Sequence, residues 1–389
     1  MLYYINFSID RYNNNKYIPS KVSCELGVTE MQENILAISL YISLAVTILC
    51  SIFITNSLGP RKTVLLAMYM SIVFTVLCAA VPNYWTLLLS RIMIGVGIGL
   101  NLSPSGLFFT NGASCRKVYL QGTFIWVLFW ESSGAWIGAL GYFVLKYFSW
   151  REFLLLTSVP VFIPPILLLH FVLTEDAVPR EETQPILENC ETVQTSGKFP
   201  TLRLAKASLC YFLQEAQLYG LIILLPGLLR SINMLHGSSN DNDSCSAVVQ
   251  GSDFIFLAII NSGMILGIIL GGMLQNRFSP ILVYPPVAAL TTVCFAVLYF
   301  YQKTYWLVVA IGFMSYMFLK IQNIRLNMVQ YDADYFGREN ITVCSGIMYG
   351  VATLGSVFGT TCAAFLNPGI EVFIALGITF MISLNFLKS

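Results

Sequence analysis

Apolar residues run in blocks of about twenty along most of this chain, separated by short polar breaks. Such blocks lie at residues 35–55, 64–81, 87–109, 120–145 and 153–173, and again at 209–228, 254–274, 281–301, 306–327, 341–366 and 370–387. A helix needs about 20 such residues to cross a bilayer. The pattern therefore predicts an all-α polytopic membrane protein with about eleven transmembrane helices visible. The longest internal polar break, "TEDAVPREETQPILENCETVQTSGKFPT", is rich in Glu, Thr and Pro and reads as a connector between two sets of helices. This gives a non-cytoplasmic segment at 1–33, an N-terminal half of five spans at 34–174, a cytoplasmic connector at 175–205 and a C-terminal half of six spans at 206–389.

Composition agrees with the pattern. Hydrophobic residues make up 56% of 389 and charged residues 11%, with a mean hydropathy of +0.72; such a chain has too little polar surface for a water-soluble globule. A net charge of +1 supplies no basic field for nucleic acid, and two histidines supply no metal cluster. Loop charge orients the spans. Twelve Lys and Arg, among them Arg61, Lys62, Arg116, Lys117, Arg203 and Arg277, fall on one side, against four on the other (Lys146, Arg151, Arg230 and Lys303); the richer side is cytoplasmic by the positive-inside rule. Cys24 and Cys245 fall in loops on the opposite side, where a bridge or two free thiols are both open. Asn242 opens a glycosylation sequon in the same outer loop.

Two short turns repeat. "NSLGPRK" at 56–62 and "NRFSP" at 276–280 both lie between apolar blocks, at corresponding places in the two sets. An internal repeat in a polytopic chain is the signature of a transporter whose halves rock about a site near the midplane. An odd total of eleven spans leaves residues 1–33 outside with no span before them. A first helix therefore reads as missing, or the tail as one carried across by the next helix.

At these turns the sequence resembles the major facilitator superfamily, whose signature in this loop is Gly-x-x-x-Asp-Arg-x-Gly-Arg-Arg/Lys. The first copy keeps Gly59, Arg61 and Lys62 with Asn56 in place of the Asp; the second keeps Gly272 and Arg277 with Asn276 in place of the Asp. The stretches "CELGVTEMQENIL", "SRIMIGVGIGLNLSP", "FSWREFLLLTSVP", "TEDAVPR" and "VCSGIMYGVATLG" are similar to the synaptic vesicle glycoprotein 2-related, organic ion transporter-like group. The resemblance implies a fold of two pseudo-symmetric helical halves, solute transport by alternating access, and a cytoplasmic gating role for Asn56, Gly59, Arg61, Lys62, Gly272, Asn276 and Arg277. Lacking the acidic residue, that latch is expected to be weak.

Ionisable residues in the middle of a span are functional candidates, because each costs about 2.5 to 3.5 kcal/mol to insert. Glu131, Glu215 and Lys320 are of this kind. Tyr316, Lys320, Asn323, Asn327 and Tyr331 follow helical spacing and form one stripe, as do Tyr211, Glu215 and Tyr219. A polar stripe within a bilayer must face protein or water, so these residues are expected to bind substrate. The alternative for Glu215 and Lys320 is a structural ion pair or a snorkelling side chain. Glu131 shares its face with Gly134, Gly138 and Gly141, a pattern of close helix packing, and Arg91 opens the glycine run of Gly95, Gly97 and Gly99. In the family an Arg at that place supports coupling.

The expected function is movement of a small organic ion through a plasma or vesicle membrane, with no cofactor. No phosphate loop is present to drive it with ATP. The reading carried beside it is a transporter-fold protein that no longer transports and serves as a membrane interaction partner. An enzyme is not indicated, since no nucleophile, base and orienting partner recur at usable spacing.

Overall fold

A computed structural model describes residues 26–112, 149–171, 200–236, 251–278, 280–301, 304–330, 333–336, 340–365 and 370–386. Among them are eleven helices: α1 (Glu30–Leu58), α2 (Pro60–Ala80), α3 (Tyr84–Gly112), α4 (Trp150–Phe171), α5 (Thr201–His236), α6 (Gly251–Arg277), α7 (Pro280–Tyr301), α8 (Tyr305–Gln330), the single turn α9 (Ala333–Phe336), α10 (Ile341–Phe365) and α11 (Ile370–Phe386). The span expected at 120–145 lies outside the described residues. Among the described residues, five stretches are long and apolar enough to cross a membrane by length and composition: Arg61–Ala80, Tyr84–Leu102, Val283–Tyr301, Trp306–Asn327 and Val343–Ala363.

The helices outrun the apolar blocks because their first turns are polar. Thr29 caps α1 in a reciprocal box with Gln32, so the helix begins at Glu30, ahead of the apolar run. Ser149 and Glu152 do the same for α4: the Ser149 amide donates to Glu152 Oε2 at 2.8 Å, and the Glu152 amide donates to Ser149 Oγ at 3.2 Å. Helix α5 starts at Thr201, within the stretch read as connector, and continues for 36 residues, about 54 Å at 1.5 Å per residue.

The same packing scheme appears twice. In the first half α3 lies against α1 and α2, and α2 against α4; in the second, α8 lies against α6 and α7, and α7 against α11. Each half has its own apolar core. One gathers Leu40, Ile48, Leu87, Ile94 and Phe153, the other Leu218, Leu221, Phe295, Leu319 and Phe373. The halves meet where α1 packs on α10. Along that seam a Cβ at Gly350 would press on Leu49, and Tyr41 is packed by Tyr219, Ile222, Val357 and Ala363.

Close helix approach is made by glycines. A Cβ at Gly95 of α3 would stand 2.6 Å from the Leu40 carbonyl oxygen of α1, and one at Gly99 would stand 3.0 Å from that of Leu44. In the second half α6 supplies the glycines, Gly263 and Gly267, against the Phe313 and Met317 backbone of α8. Gly355 and Gly359 of α10 fit in the same way over Phe212 and Ala216 of α5. Small residues four apart let backbones meet where no hydrophobic force drives them together.

Candidate functional site

The sequence-derived stripes converge where α5, α8 and α10 meet. Tyr211 faces Asn327, and Glu215 faces Asn323 four residues further along α5 and four back along α8, the register of an antiparallel pair. The Tyr211 hydroxyl donates to Asn327 Oδ1 at 2.6 Å, Asn327 Nδ2 donates to Asn323 Oδ1 at 2.6 Å, and Asn323 Nδ2 donates to Glu215 Oε1 at 2.7 Å. Ser356 of α10 reaches the other carboxylate oxygen at 3.4 Å. A carboxylate here is therefore met by donors from two neighbouring helices, which offsets part of its loss of water.

All the members are buried: Tyr211 at 2% exposure, Glu215 at 8%, Asn323 at 2% and Asn327 at 9%. Lys320 is buried at 1%, and its Cβ lies 2.9 Å from where a Cβ on Gly267 of α6 would stand. The base of its side chain thus points to α6, a different neighbour from that of Asn323. Tyr316 is buried one turn outward, and Tyr219 packs edge-on against Tyr41 of α1 with ring centroids 5.6 Å apart. Tyr211 meets Tyr349 of α10 at 6.1 Å in the same edge-on manner.

Gln214 and Ser356 belong to this network, and the sequence stripes did not contain them. Gln214 Oε1 accepts from Asn323 Nδ2 at 3.1 Å, and its Nε2 donates to the Leu319 carbonyl at 3.3 Å. Helical periodicity groups residues within one helix; Gln214 is drawn in by the register between two. A second polar layer lies toward the C-terminal end of α8, where Gln330 Nε2 donates to the Ser345 carbonyl at 3.3 Å.

The remaining candidates lie elsewhere. Arg91 is buried in α3, at 6% exposure, in the first half. Glu131 and the sequon at Asn242 lie outside the described residues, as do Cys24, Cys245 and Tyr331. Asn56 and Asn276 fall in the last turns of α1 and α6.

The first repeated turn is a one-residue joint. Gly59 ends α1 and begins α2 with φ +82° and ψ 154°, a region open essentially to glycine alone. Its amide closes on the Thr55 carbonyl at 2.9 Å and Pro60 starts the next helix. Arg61 then donates to the His170 carbonyl at 3.4 Å, and the Tyr69 hydroxyl lies 2.6 Å from His170 Nε2, tying α2 to the end of α4. At the opposite end Arg151 donates to the Ala79 carbonyl at 2.7 Å, so α2 and α4 are clasped at both ends. Lys62 is exposed. In the second turn Gly272 sits inside α6 and Arg277 is exposed, with Pro280 again opening the following helix. In the second half Arg203 of α5 donates to the Tyr335 carbonyl of α9 at 3.1 Å, a bond with no equivalent in the α2–α4 clasp.

Comparison with known proteins agrees with this architecture. A sequence profile described as Major Facilitator Superfamily matches residues 1–360. The Caenorhabditis elegans protein svop-1, which bears a transporter's name, is 24% identical over 150 residues, 37% of this chain; the match spans only 27% of svop-1 itself. The crystal structure of the human organic anion transporter MFSD10 (TETRAN) superposes with a TM-score of 0.65 at 16% identity, over 90% of this chain and 82% of that one. At such an identity the likeness is one of fold. Two packing-equivalent helical halves, long apolar helices and a profile match across most of the sequence place this chain in the Major Facilitator Superfamily, as an integral multi-pass membrane protein of a transporter family.

Proposed function

We propose that this chain moves a small organic ion across a plasma or vesicle membrane by alternating access, with its substrate held against the α5, α8 and α10 wall. The observation that carries this reading is Glu215: a carboxylate buried at mid-helix and met by side chains from two other helices. A fold needing only stability would be easier to insert and pack with an apolar residue there. Glu215, Asn323, Asn327 and Tyr211 form the polar centre of the site in this proposal, with Tyr219, Tyr316 and Lys320 at its margin. Arg91 and Glu131 are the first half's candidates. The α1–α10 seam is where the halves, joined through the 175–205 connector, rock. The turn at Asn56, Gly59, Arg61 and Lys62 and the turn at Gly272, Asn276 and Arg277 act as inner hinges.

The test is thermal unfolding of the purified full chain in detergent against organic cations, organic anions and sugars, since a ligand that binds only the folded protein raises its stability. A concentration-dependent rise with one class, abolished by Glu215→Gln in a protein that still folds, is the expected result. A folded wild type that responds to none of the three classes overturns the reading and favours a transporter-fold interaction protein.

A further inference from the structure

Three contacts set one register along the facing lengths of α5 and α8. Tyr211 bonds to Asn327, Glu215 bonds to Asn323, and the Leu225 methyls stand 3.1 Å from where a Cβ on Gly312 would lie. Each step along α5 is matched by one step back along α8, and the same count brings Ser208 opposite Gln330. Seven residues make close to two full turns. Ser208 therefore shares a face with Glu215 and Gln330 shares one with Asn323, about 10 Å along each helix, toward the C-terminal end of α8.

Both side chains are buried, at 6% and 1% exposure, and each ends in an atom with no hydrogen-bond partner among the described residues: Ser208 Oγ and Gln330 Oε1. A helical hydroxyl is readily satisfied by the carbonyl four residues back, as Ser71, Thr291 and Thr292 are. Ser208 makes no such bond. Gln330 is anchored through its Nε2, which donates to the Ser345 carbonyl of α10; that oxygen can only accept, so the amide is turned with Oε1 away from it. The rung thus carries an unmet acceptor on α8 and an unmet hydroxyl on α5. Around it the packing is apolar: Leu204, Ala207, Cys344 and Met348 belong to one buried cluster with Tyr211. Five residues nearer the start of α5, Arg203 donates to the Tyr335 carbonyl and its guanidinium lies 5.7 Å from the Tyr335 ring. The rung lies between that contact and the Tyr211–Asn327 bond.

We infer that Ser208 and Gln330 form a second binding site, which takes one neutral hydroxyl that donates to Gln330 Oε1 and bonds to Ser208 Oγ. A hydroxyl fits because Oε1 requires a donor, while Ser208 Oγ meets either a donor or an acceptor. An ion does not fit, since two neutral oxygens in an apolar shell replace too little of its water. The hydroxyl is that of water or of a solute. On the transporter reading given above, this is the next polar stop for a solute between Glu215 and the Arg203 end of α5; the site itself stands without that reading.

The test is the sign of a stability change. Removing a buried hydroxyl that has no partner raises stability, and removing one that bonds a bound group lowers it. Thermal unfolding of Ser208→Ala is compared with that of wild type, as full chains in detergent, first in buffer free of polyols and then at equal concentrations of glycerol as a hydroxyl probe. The comparison is repeated in the Gln330→Met background, where both members lack the Ser345 bond and its loss cancels. Gln330→Leu is carried in parallel, so that a folding defect in one background leaves the other. The expected result is a Tm lowered by about 1 to 3 °C in Ser208→Ala, shrinking to less than about 0.5 °C in the Gln330 backgrounds. A loss already present in plain buffer identifies water; a loss that appears only with glycerol identifies a solute hydroxyl.

A Ser208→Ala protein at least as stable as wild type, with and without glycerol, overturns the inference. A loss of equal size in all backgrounds overturns it as well, because Ser208 and Gln330 then hold no group in common. Failure of the Glu215 test leaves both outcomes unchanged.

Discussion

The two halves pack the same pairs of helices and distribute their glycines in opposite ways. Where the first helix of each half meets the third, the glycines lie on α3 in the first half, Gly95 and Gly99 facing α1, and on α6 in the second, Gly263 and Gly267 facing α8. Helix α3 and helix α8 hold matching places in the scheme, yet at the closest backbone approach α3 supplies the glycines, Gly95 and Gly99, whereas α8 presents the backbone of Phe313 and Met317 to the glycines of α6. That choice leaves α8 able to carry Tyr316, Lys320, Asn323 and Asn327 on its inner surface. The polar bonding follows suit. Buried hydroxyls of the first half, such as Thr47, Ser51 and Ser71, donate back to carbonyls three or four residues earlier in their own helices. Those bonds need no neighbour. In the second half Tyr211, Gln214, Asn323, Gln322 and Gln330 bond from one helix to another. Among the described residues, buried side-chain amides thus link helices in the second half, and that linkage is where a bound solute can change the bonding.

The largest expected effect tests the glycine contacts. Gly359→Ala drives a Cβ into the Ala216 backbone of α5, 2.8 Å from its Cα, and should cost about 2 to 3 kcal/mol or abolish folding. Gly271→Ala meets first the movable end of Ile324 at 2.9 Å and should cost less than about 1 kcal/mol. Thermal unfolding of the two variants side by side decides the point; equal losses would mean that backbone contact is not what the glycines serve.

A smaller effect separates the two turns. Gly59→Ala forces a side chain into φ +82°, which should cost about 1 to 3 kcal/mol. Gly272 is a helical residue in α6, and Gly272→Ala should fall within about 1 kcal/mol of wild type. Proteolysis at the α1–α2 and α6–α7 turns, compared between the variants, reads this difference. The smallest effect lies in the first-half clasp: Tyr69→Phe loses one exposed bond to His170 and should cost about 0.5 kcal/mol.

Much of this was legible in the sequence. Apolar blocks of bilayer length gave the long helices, the repeated turns located corresponding joints, and the spacing of Tyr316, Lys320, Asn323 and Asn327 put them on a protein-facing side of α8. What periodicity does not contain is the offset of one helix against the next. Gln214 and Ser356 entered the network through such offsets, and Lys320 proved to leave its helix toward α6 although it shares a stripe with Asn323. Tyr69 was silent for the same reason: its partner, His170, stands on another helix 101 residues away. The polar first turns of α1 and α5 were missed because hydropathy marks the bilayer interior, while capping marks where a helix starts.

The most direct test of the central claim is uptake of radiolabelled organic cations and, separately, organic anions into proteoliposomes carrying wild type, Glu215→Gln or the first-half variant Ser51→Ala. The account predicts concentrative or exchange uptake of one class by wild type and Ser51→Ala, and uptake at the protein-free background by a folded Glu215→Gln. Uptake by Glu215→Gln at the wild-type rate would contradict it, because the second half would then hold a structural carboxylate and the path for solute would lie elsewhere.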